Sequence, residues 1–373
     1  MANHAFLSAS SSHRWLSCPP SARLCAGVND KGSEYAQQGT DAHSLCQYKL
    51  EHSLGIESAD PTENLTFYDE EMNQCAEDYA AYITAILAEV KEKCQDPFVL
   101  IEQRLDFSRF VPDGFGTGDC VIIADGTLHI IDYKHGKGIE VSADHNPQMM
   151  CYALGALELF DCIYDISEVC MTIFQPRRDN ISVFKMSKAD LCKWAEEVLA
   201  PTAKLAYDGG GEFKAGEHCQ FCKVKATCRK RMEYNMELAK YDFAMPDTLE
   251  DEEIAVILTK AEEFSSWLND IKEYALNQAI GGKHYDGFKL VEGRSNRKYT
   301  DESAVADAVI KAGYDPYEKK LLGITAMTAV LGSKKFEEIL GGYVCKPQGK
   351  PALVPESNKR KAINSAQQDF NEN

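Results

Sequence analysis

Nowhere does the chain hold a run approaching roughly 18 uninterrupted apolar residues, so it offers no helical membrane span. Its opening, Met1-Ala2-Asn3-His4, lacks the positively charged segment and apolar stretch of a secretory leader, and a cytoplasmic protein is expected. Positive charge is also scarce. Lys and Arg number 40 against 58 Asp and Glu, and the net charge of −18 argues against indiscriminate coating of nucleic acid by the whole surface. Nor is there an internal repeat.

Cysteine, by contrast, is plentiful. Fourteen cysteines in a large chain expected in the cytoplasm read as thiols or metal ligands rather than as a disulfide framework. With 373 residues and 44% hydrophobic content the chain can bury real cores in two or three domains. Basic residues cluster at Lys223 to Arg231, Lys289 to Lys298 and Lys359 to Lys361; each cluster suits a solvated face or a local groove.

Helical spacing dominates the first ninety or so positions, broken at Pro19-Pro20 and between Gly55 and Pro61. Four strand-like runs follow, "FVLIEQRLDF", "DCVIIA", "TLHIIDYK" and "EVCMTIFQ". Before the last of them, "NPQMMCYALGALELF" predicts a helix with Asn146 as N-cap and Pro147 in its first position. The order helix, strands, helix, strand implies an α/β or α+β core.

Near 243 the character changes. Ile254, Ile257, Leu258, Ala261, Phe264, Leu268 and Ile271 predict a long amphipathic helix stopped by Gly281-Gly282, followed by a short strand and more helices. The domains expected are 1–243, a mainly helical 244–362, and a disordered tail at 363–373.

Asp125-Gly126 between two β-rich runs predicts a two-residue hairpin turn. A turn centred there sets Asp119 opposite Asp132, on the face that also carries Val121, Ile123, Leu128 and Ile130. Two carboxylates opposed on a buried face repel and lose solvation. A bound cation removes both penalties. Strand period puts Lys134 on the same face, so two acids and an ammonium converge at a strand end, where they suit either a hard divalent cation with an oriented water or a plain solvated sheet edge.

"GTGD" and "DYK" resemble the two core motifs of the PD-(D/E)XK nuclease superfamily, and their surroundings resemble its RecB-like exonuclease branch, which includes the nuclease domains of RecB and AddB and the CRISPR-associated RecB-like nucleases. Gly39-Thr40-Asp41-Ala42-His43 matches the Gly-x-x-x-His motif of that branch, and Gln148-Met149-Met150-Cys151-Tyr152 matches its Gln-x-x-x-Tyr motif. The resemblance covers roughly residues 10 to 235. It implies a mixed sheet flanked by helices, with Asp119, Asp132 and His43 holding Mg²⁺ or Mn²⁺, the Tyr133 carbonyl as a further ligand, and Lys134 positioning the attacking water. Gln148 and Tyr152 would orient the DNA backbone or the catalytic strand. Glu102, in "VLIEQRL", is a candidate extra acidic ligand.

"CQFCKVKATC" spaces Cys219, Cys222 and Cys228 as C-x2-C-x5-C, a pattern for Zn²⁺ or an iron–sulfur cluster, with the adjacent His218 available to complete a zinc site. The resemblance implies a [4Fe–4S] cluster whose fourth ligand is Cys18, with Cys25 as runner-up. Such a cluster staples the N-terminal helices to the end of the nuclease core across a loop of roughly two hundred residues. Lys223, Lys225, Arg229, Lys230 and Arg231 would then be held where they meet phosphates. Cys120 and Cys151 read as buried small hydrophobes. After 243, the general look of the chain is similar to C-terminal regions of phage-encoded RecB-like proteins. The function implied is an exonuclease processing linear DNA, single- or double-stranded, in phage replication or recombination, alongside a recombination or single-strand-binding protein and away from membranes. The alternative is a non-catalytic DNA-binding or recombination scaffold on the same fold.

Overall fold

A computed structural model of the chain describes residues 5–28, 34–124, 126–237, 250–292, 299–317 and 322–344. Two compact units divide it, Met1–Ala275 and Leu276–Asn373. The boundary expected at 243 and the tail at 363–373 lie outside the described residues, as do the basic cluster at 359–361 and much of that at 289–298.

The first unit is mixed α/β. Short helices α1 (Ser12–Ser17) and α2 (Ser21–Ala26) precede two long ones, α3 (Glu34–Ser53) and α4 (Glu70–Lys91). Strands β1 (Phe98–Asp106), β2 (Phe115–Ile123) and β3 (Gly126–Tyr133) follow, then α5 (Pro147–Phe160), β4 (Ile166–Gln175) and β5 (Asn180–Ser187). Helix α6 (Lys188–Trp194) runs through a π turn at Ala195–Leu199 into α7 (Ala200–Asp208). Then come α8 (Arg229–Met236) and α9 (Asp251–Ile280). The second unit holds α10 (Glu302–Lys311), α11 (Ile324–Leu331) and α12 (Ser333–Leu340).

The five strands lie in chain order, all neighbours antiparallel except β3 and β4, which are parallel and joined by the α5 crossover. Asn146 caps α5 as its sequence predicts, accepting from the amides of Gln148 and Met149, with Pro147 in the first turn. The register of the central hairpin also follows the predicted turn, with Cys120 opposite Ile131 and Ile123 opposite Leu128. Asp125 itself lies outside the described residues, and Gly126 supplies the positive φ of +87°.

Both faces of this hairpin are buried, not one. Val121, Ile123, Leu128 and Ile130 enter the core under α5, while Cys120, Ile122, Ile131 and Tyr133 pack against α3 and α4. With both faces of the hairpin covered, the acidic residues gather where β3 ends: Asp132 lies next to its last residue, and Asp119 and Glu102 sit mid-strand on β2 and β1.

Three differences from expectation have physical causes. Strand β5 alternates apolar and polar residues at an exposed sheet edge, so it lacks the continuous apolar run that marks β2 to β4. Helix α9 forms over the predicted span, but its one fully buried side chain is Trp267, while Ile254, Leu258 and Leu268 of the expected stripe are exposed. The short strand expected after α9 is not found among the described residues, where 283–292 are turn and coil.

Candidate metal and thiol centres

Gly39 and His43 lie one turn apart on α3, and His43 reaches the sheet end, its Nδ1 lying 3.2 Å from Asp119 Oδ1. Asp119 follows Gly118 on β2, at the point where both of its neighbouring ladders break. On one side the β2–β3 pairing stops at Cys120 and Ile131; the other Asp119 oxygen then accepts the Tyr133 amide at 2.6 Å, replacing the missing ladder bond. On the other side the β1–β2 register passes from Ile101–Cys120 to Gln103–Gly118 and skips Glu102, whose φ is +49°. A left-handed backbone at a non-glycine residue inside a strand is strained, a cost of about 1–3 kcal/mol that persists only where the surroundings enforce it. Here it sets Glu102 against Asp119: ligand atoms of His43, Glu102 and Asp119 lie within 4.8 Å of one another.

Asp132, Lys134, Gln148 and Tyr152 form the second half of the cluster. Lys134 Nζ is 2.8 Å from Asp132 Oδ2 and donates to Gln148 Oε1 at 3.3 Å. Gln148 Nε2 donates to Asp132 Oδ1 at 3.2 Å and to the Tyr152 hydroxyl at 3.1 Å. The spacing of four on α5 puts Gln148 and Tyr152 on one face, as expected. Asp132 Oδ2 is buried and, although Lys134 is close, lacks a directional hydrogen bond. The group of His43, Glu102 and Asp119 offers hard oxygen and imidazole donors that fit Mg²⁺ or Mn²⁺; Asp132, held by Lys134, lies outside that group of three. The Tyr133 side chain is buried against Tyr79 and donates or accepts with His135 at 2.8 Å, so only its backbone remains to serve as a ligand.

Electrostatics divide the groups. Burial works against charge on Asp119, but His43, Lys134 and the Tyr133 amide outweigh it and hold the carboxyl below its ordinary range. Burial pushes Asp132 up, Lys134 opposing. Glu102 is pushed up to about 7 by burial and by the Asp119 charge. Burial would lower His43, yet Asp119 raises it to about 9. His43 and Lys134 thus each set a cationic side chain against one aspartate, Asp119 and Asp132 respectively.

Two contributors were missed in the sequence. Gly116, the first residue of "GTGD", faces Tyr152: a Cβ there would lie 2.6 Å from the ring. Gln175, buried at the end of β4, donates to the carbonyls of Gly136 and Ile139 at 2.8 Å and accepts from the Val141 amide at 3.1 Å. It pins the loop whose two ends carry Lys134 and Gln148. A polar residue closing the apolar run "CMTIF" was the available signal.

Cys18, Cys219, Cys222 and Cys228 line a single small cavity, together with His218, whose Nε2 faces the Lys214 carbonyl at 2.9 Å. Cys25 stands outside that lining, its Sγ 3.6 Å from that of Cys222. The four thiols chosen from the sequence thus line one cavity, and the runner-up Cys25 abuts Cys222 beside it. The nearby cations are unequally available. Lys225 and Arg231 both pair with Asp270, at 2.8 and 2.6 Å, Arg231 being buried; Lys230 meets Glu233 at 3.7 Å, and Lys223 reaches the Val28 carbonyl at 3.5 Å. Arg229 is exposed on the first turn of α8.

No helix among the described residues is long and apolar enough to cross a membrane. A solved structure titled "Crystal structure of SSO0001" aligns with 52% of this chain and 98% of its own at 14% identity and a TM-score of 0.23. A family model described as "Protein of unknown function (DUF2800)" matches residues 4–361, nearly the full length, and the chain belongs to the DUF2800 family.

Proposed function

We propose that this chain is a metal-dependent deoxyribonuclease with a PD-(D/E)XK core of the RecB-like kind, acting as an exonuclease on linear DNA in phage replication or recombination. The observation that carries the reading is the meeting of His43, Glu102 and Asp119 with the Asp132–Lys134–Gln148 cluster at one sheet end. His43, Glu102 and Asp119 would hold Mg²⁺ or Mn²⁺, with Asp132 and the Tyr133 carbonyl adjoining. Such an ion supplies a water of lowered pKa and neutralises charge on the phosphodiester. Lys134, fixed by Asp132 and Gln148, donates to the attacking water and sets its line of approach. Gln148 and the Tyr152 hydroxyl fix that ammonium in turn and offer hydrogen bonds to the scissile strand. Cys18, Cys219, Cys222 and Cys228 would hold a [4Fe–4S] cluster that staples the N-terminal helices to the end of this domain, with Zn²⁺ as the alternative occupant.

A second reading, a DNA-binding scaffold without catalysis, rests on the pairing of each aspartate with a cationic side chain, His43 with Asp119 at 3.2 Å and Lys134 with Asp132 at 2.8 Å. Incubation of linear and circular DNA with Mg²⁺ or Mn²⁺ separates the two. Loss of linear molecules with circles spared supports the exonuclease, cutting of circles makes it an endonuclease, and no cleavage of any DNA selects the scaffold.

A further inference from the structure

A groove of about 490 Å³ borders the cysteine centre. Leu24, Phe213, Val224 and Cys228 line both this groove and the cavity that the four thiols share, so the two spaces have common walls. Leu24 and Phe213 are 42% and 44% exposed, large apolar groups facing solvent next to a rim formed by Arg229 and Lys230. Arg229 has no acidic partner among the described residues, and Lys230 has only the distant Glu233.

Phe213 shares the groove lining with Arg229, Lys230 and a single acid, Glu233, a local cationic excess on a chain whose net charge is −18. Apolar ring faces flanked by guanidinium and ammonium groups suit an unstacked base followed by its phosphate, a pairing that single strands offer and duplexes hide. We propose that this groove binds single-stranded DNA, Phe213 stacking on a base and Arg229 contacting the adjoining phosphate. The inference rests on the nuclease reading only for the choice of DNA as ligand.

The test is fluorescence anisotropy of a labelled oligothymidine and of a hairpin duplex, with the full chain purified anaerobically and EDTA present to prevent cleavage. Wild type, Phe213→Ala and Arg229→Glu are compared, each checked for visible absorbance and melting temperature. The groove predicts roughly tenfold weaker oligothymidine binding in each variant, with duplex binding changed much less. Arg229→Lys should recover most of the affinity. Equal losses on both probes, unchanged affinity in both variants, or no oligothymidine binding by the wild type overturns it and leaves the groove to an apolar peptide. Phe213-dependent binding by a protein that cleaves no DNA would sink the nuclease reading alone; cleavage without a Phe213 effect would sink the groove alone.

Discussion

Asp119 accepts the Tyr133 amide at 2.6 Å one residue beyond the last β2–β3 pair, so a side chain completes the hydrogen bonding where the ladder gives out. The same carboxylate faces His43 at 3.2 Å. One residue thus serves the sheet with one oxygen and the candidate metal site with the other.

Replacing it separates these duties. Asp119→Ala strands the Tyr133 amide and leaves His43 unpaired, and should cost about 1–3 kcal/mol in urea unfolding with EDTA present. Asp119→Asn keeps an acceptor for that amide but loses the ion pair with His43, so at pH 7 it should unfold between the wild type and Asp119→Ala while losing stabilisation by Mn²⁺.

The pH response follows from His43. Its folded pKa of about 9 lies above the unfolded value, so in metal-free protein its pairing with Asp119 stabilises fully below about 6.5 and is lost as pH rises through 9. Melting temperatures of wild type and His43→Gln should therefore converge between pH 6.5 and 9.5. Imidazole binds a cation only when neutral, so Mn²⁺ binding at pH 7 should release a proton that His43→Gln does not, measurable by calorimetry in buffers of different ionisation enthalpy.

Gly116 keeps Tyr152 in place by having no side chain. Gly116→Ala must push the ring, 2.6 Å from the new Cβ, and should cost about 1–3 kcal/mol while slowing cleavage roughly tenfold. Gly116→Ala should cost little further stability in a Tyr152→Ala background, and a double-mutant cycle in chemical denaturation measures the coupling.

The thiol centre makes its own forecast. Anaerobic protein should be brown and contain iron. Cys18→Ser should lose the colour and melt earlier, whereas Cys25→Ser, altering a thiol that stands 3.6 Å from Cys222 without lining the cavity, should keep the colour; its loss would exchange Cys18 for Cys25 as ligand. A colourless protein with stoichiometric zinc would replace the cluster by the tetrahedral alternative.

Much of this architecture is legible in the sequence, for local reasons. Asn146-Pro147 states where α5 begins, and the Asp125-Gly126 turn with a period of two fixes which residues oppose each other across the hairpin. Four of the five strands announce themselves as apolar runs. What stayed hidden depends on neighbours distant in the chain. Gly116 matters because Tyr152 arrives from α5, Gln175 because the loop after Lys134 crosses the end of β4, and Glu102 because its left-handed backbone breaks the ladder opposite Asp119. Trp267 rather than the Ile254–Leu258 stripe is buried on α9, a choice made by the packed surface and not by periodicity.

The most direct measurement is the rate at which linear DNA disappears with Mg²⁺ or Mn²⁺, wild type beside Lys134→Ala, the folding of both verified by melting temperature. Metal-dependent loss by the wild type, slowed at least roughly a hundredfold in the variant while Mn²⁺ binding persists, is the result the account predicts. Equal rates in the two proteins, or an inert wild type with metal bound and the thiol centre intact, would contradict it.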